Sequence, residues 1–158
     1  MKRSMRDWIL EVVSAVALAG LFAVVLFYWG DLPDRVPRHF GSSGVPDAWG
    51  ARGELWILPF TGLGLYALLT AASRYQGLIN MPVNVDRNSP EVRQVLSEFC
   101  ITLKAVLSVK LLYMAWMHVH TALGRANGLG SRFLPISLTV IAVPMVWYYL
   151  RLRRYAKQ

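Results

Sequence analysis

The sequence predicts an all-α membrane protein, a bundle of four transmembrane helices that forms one domain over residues 1–158. The first observation is composition, because 55% hydrophobic and 16% charged residues lie well outside the average soluble domain. The second is a set of four apolar runs, at residues 8–29, 55–73, 99–120 and 133–150. Each is close to the roughly 20 residues that an α-helix needs to cross a bilayer. A Pro/Gly-rich loop, residues 30–54, separates helices 1 and 2 and is expected to cap the bundle.

The first run follows basic residues and contains one charge, Glu11. A cleavable signal peptide also begins with basic residues, but its apolar core is only about 7–15 residues long. Here the apolar stretch continues to Trp29. We therefore expect a retained membrane anchor.

The other spans carry their own boundary signals. Pro59 lies in the first turn of the second span, where a missing backbone N–H is tolerated. The third helix is expected to begin at Pro90 with Ser89 as its N-cap, and to enter the bilayer near Phe99. In the fourth span Pro144 predicts a kink.

Orientation follows from the positive residues outside the spans, because cytoplasmic loops carry the excess of Lys and Arg. The two termini and the loop 74–98 hold ten of them, and the opposite side holds five. Both termini and loop 74–98 are therefore predicted to be cytoplasmic, and loop 30–54 extracytoplasmic. The formal net charge of +8 is explained by this flanking and by contact with anionic lipid, so nucleic acid is not expected as a partner.

The segment from Asp31 to Glu54 is the expected recognition element. It contains two short strand-like segments, VPRHF and VPDAW, separated by GSSG, which is consistent with a small hairpin or a looped cap. The alternative is that the segment is only a capping loop, held by aromatic side chains at the membrane surface. The interfacial aromatic residues would be Trp29, Trp49 and Trp56.

An ion pair within the membrane is expected between Glu11 and Lys104. Each lies four or five residues into its span from the cytoplasmic side, so the rise of 1.5 Å per residue places them at similar depth. An unpaired charge in lipid would cost several kcal/mol. The alternative is that Lys104 extends to the cytosolic headgroups. Lys110 lies deeper and has no evident acidic partner.

Two histidines are expected at the extracytoplasmic surface. The charge count places His39 there, and the third span reaches the same surface near His118, which helical phase puts on the same side as Lys104. With Asp47 or Asp31 nearby, these side chains could bind Zn²⁺ or form a proton-sensitive latch. The alternative is that His39 bonds to loop backbone and His118 is solvated.

The loop motif resembles the small membrane proteins of domain of unknown function family 1648. That family has a P-x-x-x-P-x-H-F segment and a G-x-P-D-x-W-G end after its first helix, and INMPVNVDRNSPEVRQ is similar to its segment before the third helix. The matching residues are Pro33, Pro37, His39, Phe40, Gly44, Pro46, Asp47, Trp49 and Gly50. The resemblance implies a bacterial, multi-pass protein of the inner or plasma membrane. The same domain begins the longer immunity and signalling proteins that protect bacilli from a sporulation-delay toxin.

The expected function is a binding, sensing or immunity-type module that uses loop 31–54 to engage a small ligand or peptide at the extracytoplasmic face. One alternative is an accessory subunit of a transporter or other membrane complex, and a homo-oligomer is also open. A metal-dependent hydrolase built from His39, His118 and Asp47 is a further alternative. We expect no enzymatic activity, because the sequence has no HExxH or GxSxG motif. No cofactor other than the Zn²⁺ alternative is expected, and the single Cys100 excludes an internal disulfide.

Overall fold

The computed structural model describes residues 3–75, 77, 79–80 and 82–156. Within them four α-helices form: α1 at Met5–Tyr28, α2 at Ile57–Arg74, α3 at Pro90–Ala122 and α4 at Phe133–Arg153. Two strands, β1 at Arg35–Phe40 and β2 at Pro46–Ala51, lie between α1 and α2, followed by a 3-10 turn at Arg52–Trp56. Residues 76, 78 and 81 of the predicted cytoplasmic loop lie outside the described residues.

Three helical segments are long and apolar enough to cross a membrane, Met5–Tyr28, Arg52–Arg74 and Phe133–Arg153, in the part of the chain that the structure describes. Three of the four predicted spans are therefore confirmed as helices that are long and apolar enough to cross a membrane. α3 is the longest helix, but its lysines and histidines lower its mean hydropathy, and it is not one of the three.

The cap contains the antiparallel hairpin that VPRHF and VPDAW indicated, so the all-α prediction holds for the bundle but not for the cap. Val36 pairs with Gly50 and Pro37 with Trp49, and the register shifts on both sides of His39. Such a bulge, together with the strand prolines, disrupts the ladder and keeps the edges from pairing with another chain. Gly44 completes the turn with a φ of 76°, a conformation that costs glycine little.

Side-chain caps fix where two of the helices begin. At α1 the Ser4 hydroxyl accepts from the N–H of Asp7 at 3.2 Å, and the Asp7 carboxylate accepts from the N–H of Ser4 at 2.9 Å. At α3 the Ser89 hydroxyl accepts from the N–H of Val92, and Pro90 occupies the first turn. Ser89 also donates to Glu91, and this hydrogen bond lowers the pKa of the Glu91 carboxyl from its ordinary value.

The long helix α3 is the centre of the bundle, because it packs against α1, α2 and α4. α1 and α2 also touch, and their approach is close at Gly62, where a Cβ atom would lie 2.6 Å from Leu21. By contrast, α4 packs mainly on α3. The outer surface of the bundle exposes large apolar side chains such as Phe27 and Val143, as expected of helices that face lipid.

Two apolar clusters lie at opposite ends of the bundle. One joins the hairpin to α1 and α3 through Val25, Leu32, Val36, Leu55 and Val119. The other joins the start of α3 to the end of α4 and contains Val85, Val92, Val95, Leu96, Tyr148 and Leu152. The first and last described segments of the chain lie near this second cluster, since Arg6 bonds to Thr102 and Val85 pairs with Ala156. The hairpin is therefore at the end of the bundle away from Arg6 and Ala156.

Candidate functional site

The inner face of the hairpin is fixed to the bundle. Val36 is fully buried, and the Phe40 ring lies 4.5 Å from the ring of His118. At the turn, the carbonyl of Gly44 accepts a hydrogen bond of 2.8 Å from the N–H of Leu129 in the loop between α3 and α4. A Cβ atom on Gly44 would collide with the carbonyl of Gly130, so this approach requires glycine. The hairpin is thus held from beneath by α3 and at its tip by the α3–α4 loop.

The outer face of the hairpin is polar and open to solvent. Nδ1 of His39 lies 2.6 Å from a carboxylate oxygen of Asp47, and their side chains are 68% and 52% exposed. Beside them, Nε of Arg38 lies 3.3 Å from Glu54, whose other carboxylate oxygen accepts from the N–H of Ala51. The surface therefore carries two adjacent pairs that each combine a donor with a carboxylate.

His118 does not share this surface with His39. It is buried, and its Nδ1 donates to the carbonyl of Met114 at 2.7 Å, since a carbonyl can only accept. Phe40, the residue after His39, covers the His118 ring. The structure brings His39 and Asp47 together but does not add His118 to them. Among residues 3–75, 77, 79–80 and 82–156, no three His, Cys, Asp or Glu side chains are grouped to hold a metal.

Asp31 and the three tryptophans occupy different places around the hairpin. Asp31 is exposed at the turn after α1. The rings of Trp29 and Trp56 lie 5.7 Å apart, and the guanidinium of Arg52 covers Trp29 at 4.9 Å. Trp49 is separate from them, on β2, and is 45% exposed. The hairpin thus presents one open aromatic side chain.

The ion pair expected inside the bundle has its two side chains in contact. Nζ of Lys104 lies 2.7 Å from Oε2 of Glu11 and 2.9 Å from the hydroxyl of Thr70, and it faces the ring of Tyr66 at 4.5 Å. Lys104 is 1% exposed, so it does not extend to the headgroups. Arg3 lies 3.6 Å from the second oxygen of Glu11. The lysine thus links α1, α2 and α3.

Sequence reasoning missed the contributions of α2 and of the α3–α4 loop. Tyr66 and Thr70 are polar residues four apart in the middle of a mostly apolar helix, so they lie on one face, and this spacing could have indicated a polar partner. Gly128 and Gly130 flank Leu129, both with positive φ, which is a signal for close backbone approach.

The hairpin lies in the segment of the chain that matches a known protein family. A family model described as Domain of unknown function (DUF1648) matches residues 16–63, which extend from α1 through the hairpin into α2. An uncharacterized protein from Archaeoglobus fulgidus is 30% identical over 161 residues, covering 92% of this chain and 87% of that protein. That relative is archaeal, so the bacterial source implied by the resemblance is not established. No solved structure matches the chain. The resemblance in the loop motif is confirmed, and the chain belongs to the DUF1648 family.

Proposed function

We propose that this protein is a non-enzymatic binding module of the cell membrane, which presents the hairpin 35–51 at the extracytoplasmic surface as a rigid recognition element. The observation that carries the proposal is the contrast between the two faces of the hairpin. Val36 on the inner face is fully buried, whereas His39, Asp47 and Trp49 on the outer face are exposed. A surface held in place before binding loses less conformational entropy when it binds.

In this proposal α3 is a fourth membrane span. The Lys104 ammonium is compatible with membrane insertion, because inside the bundle it is paired with Glu11 and donates to the Thr70 hydroxyl. The length of α3 also agrees with a helix that crosses the bilayer and continues beyond it, since its 33 residues extend about 50 Å.

The proposed orientation has both termini in the cytoplasm. The end of the bundle with the termini carries Arg3, Arg6, Arg151 and Arg153, and positive residues favour the cytoplasmic side. The test uses single cysteines in a Cys100→Ala background and a maleimide that cannot cross membranes. Ser42→Cys in the hairpin turn should react in intact cells, and Tyr155→Cys only after lysis. The reverse pattern would overturn the orientation.

The ligand class follows from the outer face of the hairpin. An exposed tryptophan beside the pairs His39–Asp47 and Arg38–Glu54 suits a polar partner with both donors and acceptors, such as a peptide. Neither sign of charge dominates the four side chains. A single-sign ligand such as a polyanion is therefore not favoured.

Photocrosslinking tests the binding role. The photoreactive residue p-benzoyl-phenylalanine is placed at Trp49, and a matched control carries it at Met145 on the exposed apolar surface of α4. The Trp49 probe should give a discrete crosslinked product, which the additional change His39→Ala weakens. Crosslinks only to lipid from both positions would refute the proposal. A protein product only from Met145 would favour the accessory-subunit alternative instead.

A further inference from the structure

A large cavity lies in the side of the bundle, where α4 diverges from α1. It has a volume of about 830 Å³, within the range of about 300–1,000 Å³ that is typical of small-molecule sites. Its walls are mostly apolar and come from three helices. The apolar lining includes Leu10 and Val13 of α1, Val106 and Val109 of α3, and Ile136 and Val140 of α4.

The cavity opens toward the apolar surface of the bundle. α4 packs on α3 and hardly on α1, so α3 forms the floor between two separated walls. Val109 and Ile136 line the cavity and are still 47% and 57% exposed. At one end the loop 129–132 closes it, since the Tyr113 hydroxyl donates to the carbonyl of Leu129 at 3.0 Å. A long apolar chain could therefore enter from the bilayer without crossing a polar barrier.

The closed end of the cavity carries positive charge. Lys110 and Arg132 both line it, and Lys110 faces the Phe133 ring at 5.9 Å. None of the ion pairs formed among the described residues includes Lys110, in contrast to Lys104, six residues earlier on the same helix. A cation in an apolar, partly dehydrated wall gains most from an anionic partner.

We propose that this cavity binds an anionic phospholipid of the membrane, with its phosphate at Lys110 and Arg132 and an acyl chain along the apolar walls. The site is independent of what the hairpin binds, and it requires only that the bundle is embedded in a bilayer. Lys110 supplies selectivity for the headgroup charge, and the walls contributed by α1 and α4 supply affinity through apolar burial.

A second copy of the chain fits the cavity less well than a lipid. α2 and α4 contain no acidic residue, and the two acids of α1 are engaged, Asp7 in the N-cap and Glu11 with Lys104. On α3, Glu98 is engaged with Arg151 at 2.7 Å, and Glu91 lies in the first turn, at the end of the bundle away from the hairpin. A helix from a second copy would therefore bring apolar side chains but no free carboxylate to Lys110.

The test measures lipid binding to the purified full chain in a neutral detergent, by native mass spectrometry. Phosphatidylglycerol is the anionic probe, and phosphatidylcholine with the same acyl chains is the zwitterionic control. The wild-type protein should bind phosphatidylglycerol about tenfold more tightly, the value expected of one charge-assisted hydrogen bond. Lys110→Gln should remove this preference, and Arg125→Gln, a change of the same kind outside the cavity lining, should keep it.

A second variant blocks the cavity without changing charge. Val140→Trp should weaken binding of both lipids, because the added ring occupies the space of the acyl chain. Equal affinity of the wild type for the two lipids would overturn the proposal, as would preference retained in Lys110→Gln or binding unaffected in Val140→Trp. A lipid-free dimer that Val140→Trp dissociates would identify a second copy as the occupant and would also overturn it. None of these readouts involves Trp49, so failure here leaves the hairpin proposal standing.

Discussion

The ion pair at the centre of the bundle gives the sharpest prediction. Glu11→Gln leaves the Lys104 ammonium, 1% exposed, with neutral partners, which are the new amide oxygen, the hydroxyl of Thr70 and the ring of Tyr66. Removing one partner of a buried pair costs about 3–5 kcal/mol, because the remaining charge is uncompensated. We therefore expect Glu11→Gln to lower the free energy of unfolding by about that amount.

Replacing the other partner, Lys104, should lower the free energy of unfolding by less. In Lys104→Met the Glu11 side chain, 13% exposed, keeps Arg3 at 3.6 Å from one oxygen, so its charge retains a partner and some solvent. We expect Lys104→Met to lower the free energy of unfolding by about 1–3 kcal/mol. The double variant should be more stable than the sum of the two losses predicts, by about 0.5–3 kcal/mol.

Reversible unfolding in mixed micelles, with increasing denaturing detergent, measures all four proteins of this cycle. Arg74→Gln, an exposed basic residue at the end of α2, is the control and should change stability by less than about 0.5 kcal/mol. Strictly additive losses would show that Glu11 and Lys104 do not stabilise each other. A larger loss for Lys104→Met than for Glu11→Gln would refute the argument from burial.

Three further predictions concern the hairpin and the start of α3. Gly44→Ala should destabilise the protein by at least about 1–3 kcal/mol in the same unfolding assay, because of its positive φ and the contact with Gly130, whereas Gly53→Ala, where a Cβ atom meets open space, should not. His39→Ala removes an exposed pair and should cost less than about 1 kcal/mol, so a larger loss would mean that the pair is structural. Ser89→Ala should raise the pKa of Glu91 toward its ordinary value in an NMR titration. Because the Glu91 pKa is lowered in the folded protein, the hydrogen bond stabilises the fold above about pH 4.5, and this stabilisation is lost as the pH falls through the folded pKa. An unchanged Glu91 titration in Ser89→Ala would contradict the assignment of the lowered pKa to Ser89.

Features that depend on distance along a helix could be predicted from the sequence. The depth of Glu11 and Lys104 follows from counting residues from the ends of their spans, and the cap of α3 follows from Ser89 and Pro90. Helical phase is regular, so a residue far from the end of a helix can still be assigned to a face.

Features that depend on a bulge or on the path of a loop could not be predicted in this way. The irregular register around His39 decides that Phe40 contacts His118, and no count of residues fixes such a shift.

The cavity results from the path of the loop between α3 and α4. The Tyr113 and Phe133 rings stack at 5.7 Å, so α4 begins about 13 Å below the end of α3 and the connecting loop returns along the bundle. Gly128 and Gly130 permit a close backbone approach, but the loop sequence does not specify the direction in which the chain returns.

The position of Lys104 on the third helix also has a consequence for the order of assembly during synthesis. Glu11 is made 93 residues earlier than its partner. At about 5–20 residues per second, the ribosome needs roughly 5–20 s to produce that length. Of the two cations that contact Glu11 among the described residues, Arg3 at 3.6 Å and Lys104 at 2.7 Å, only Arg3 has been synthesised during this interval. The Glu11–Lys104 contact, which links α1 to α3, can therefore form only after most of the chain has been synthesised.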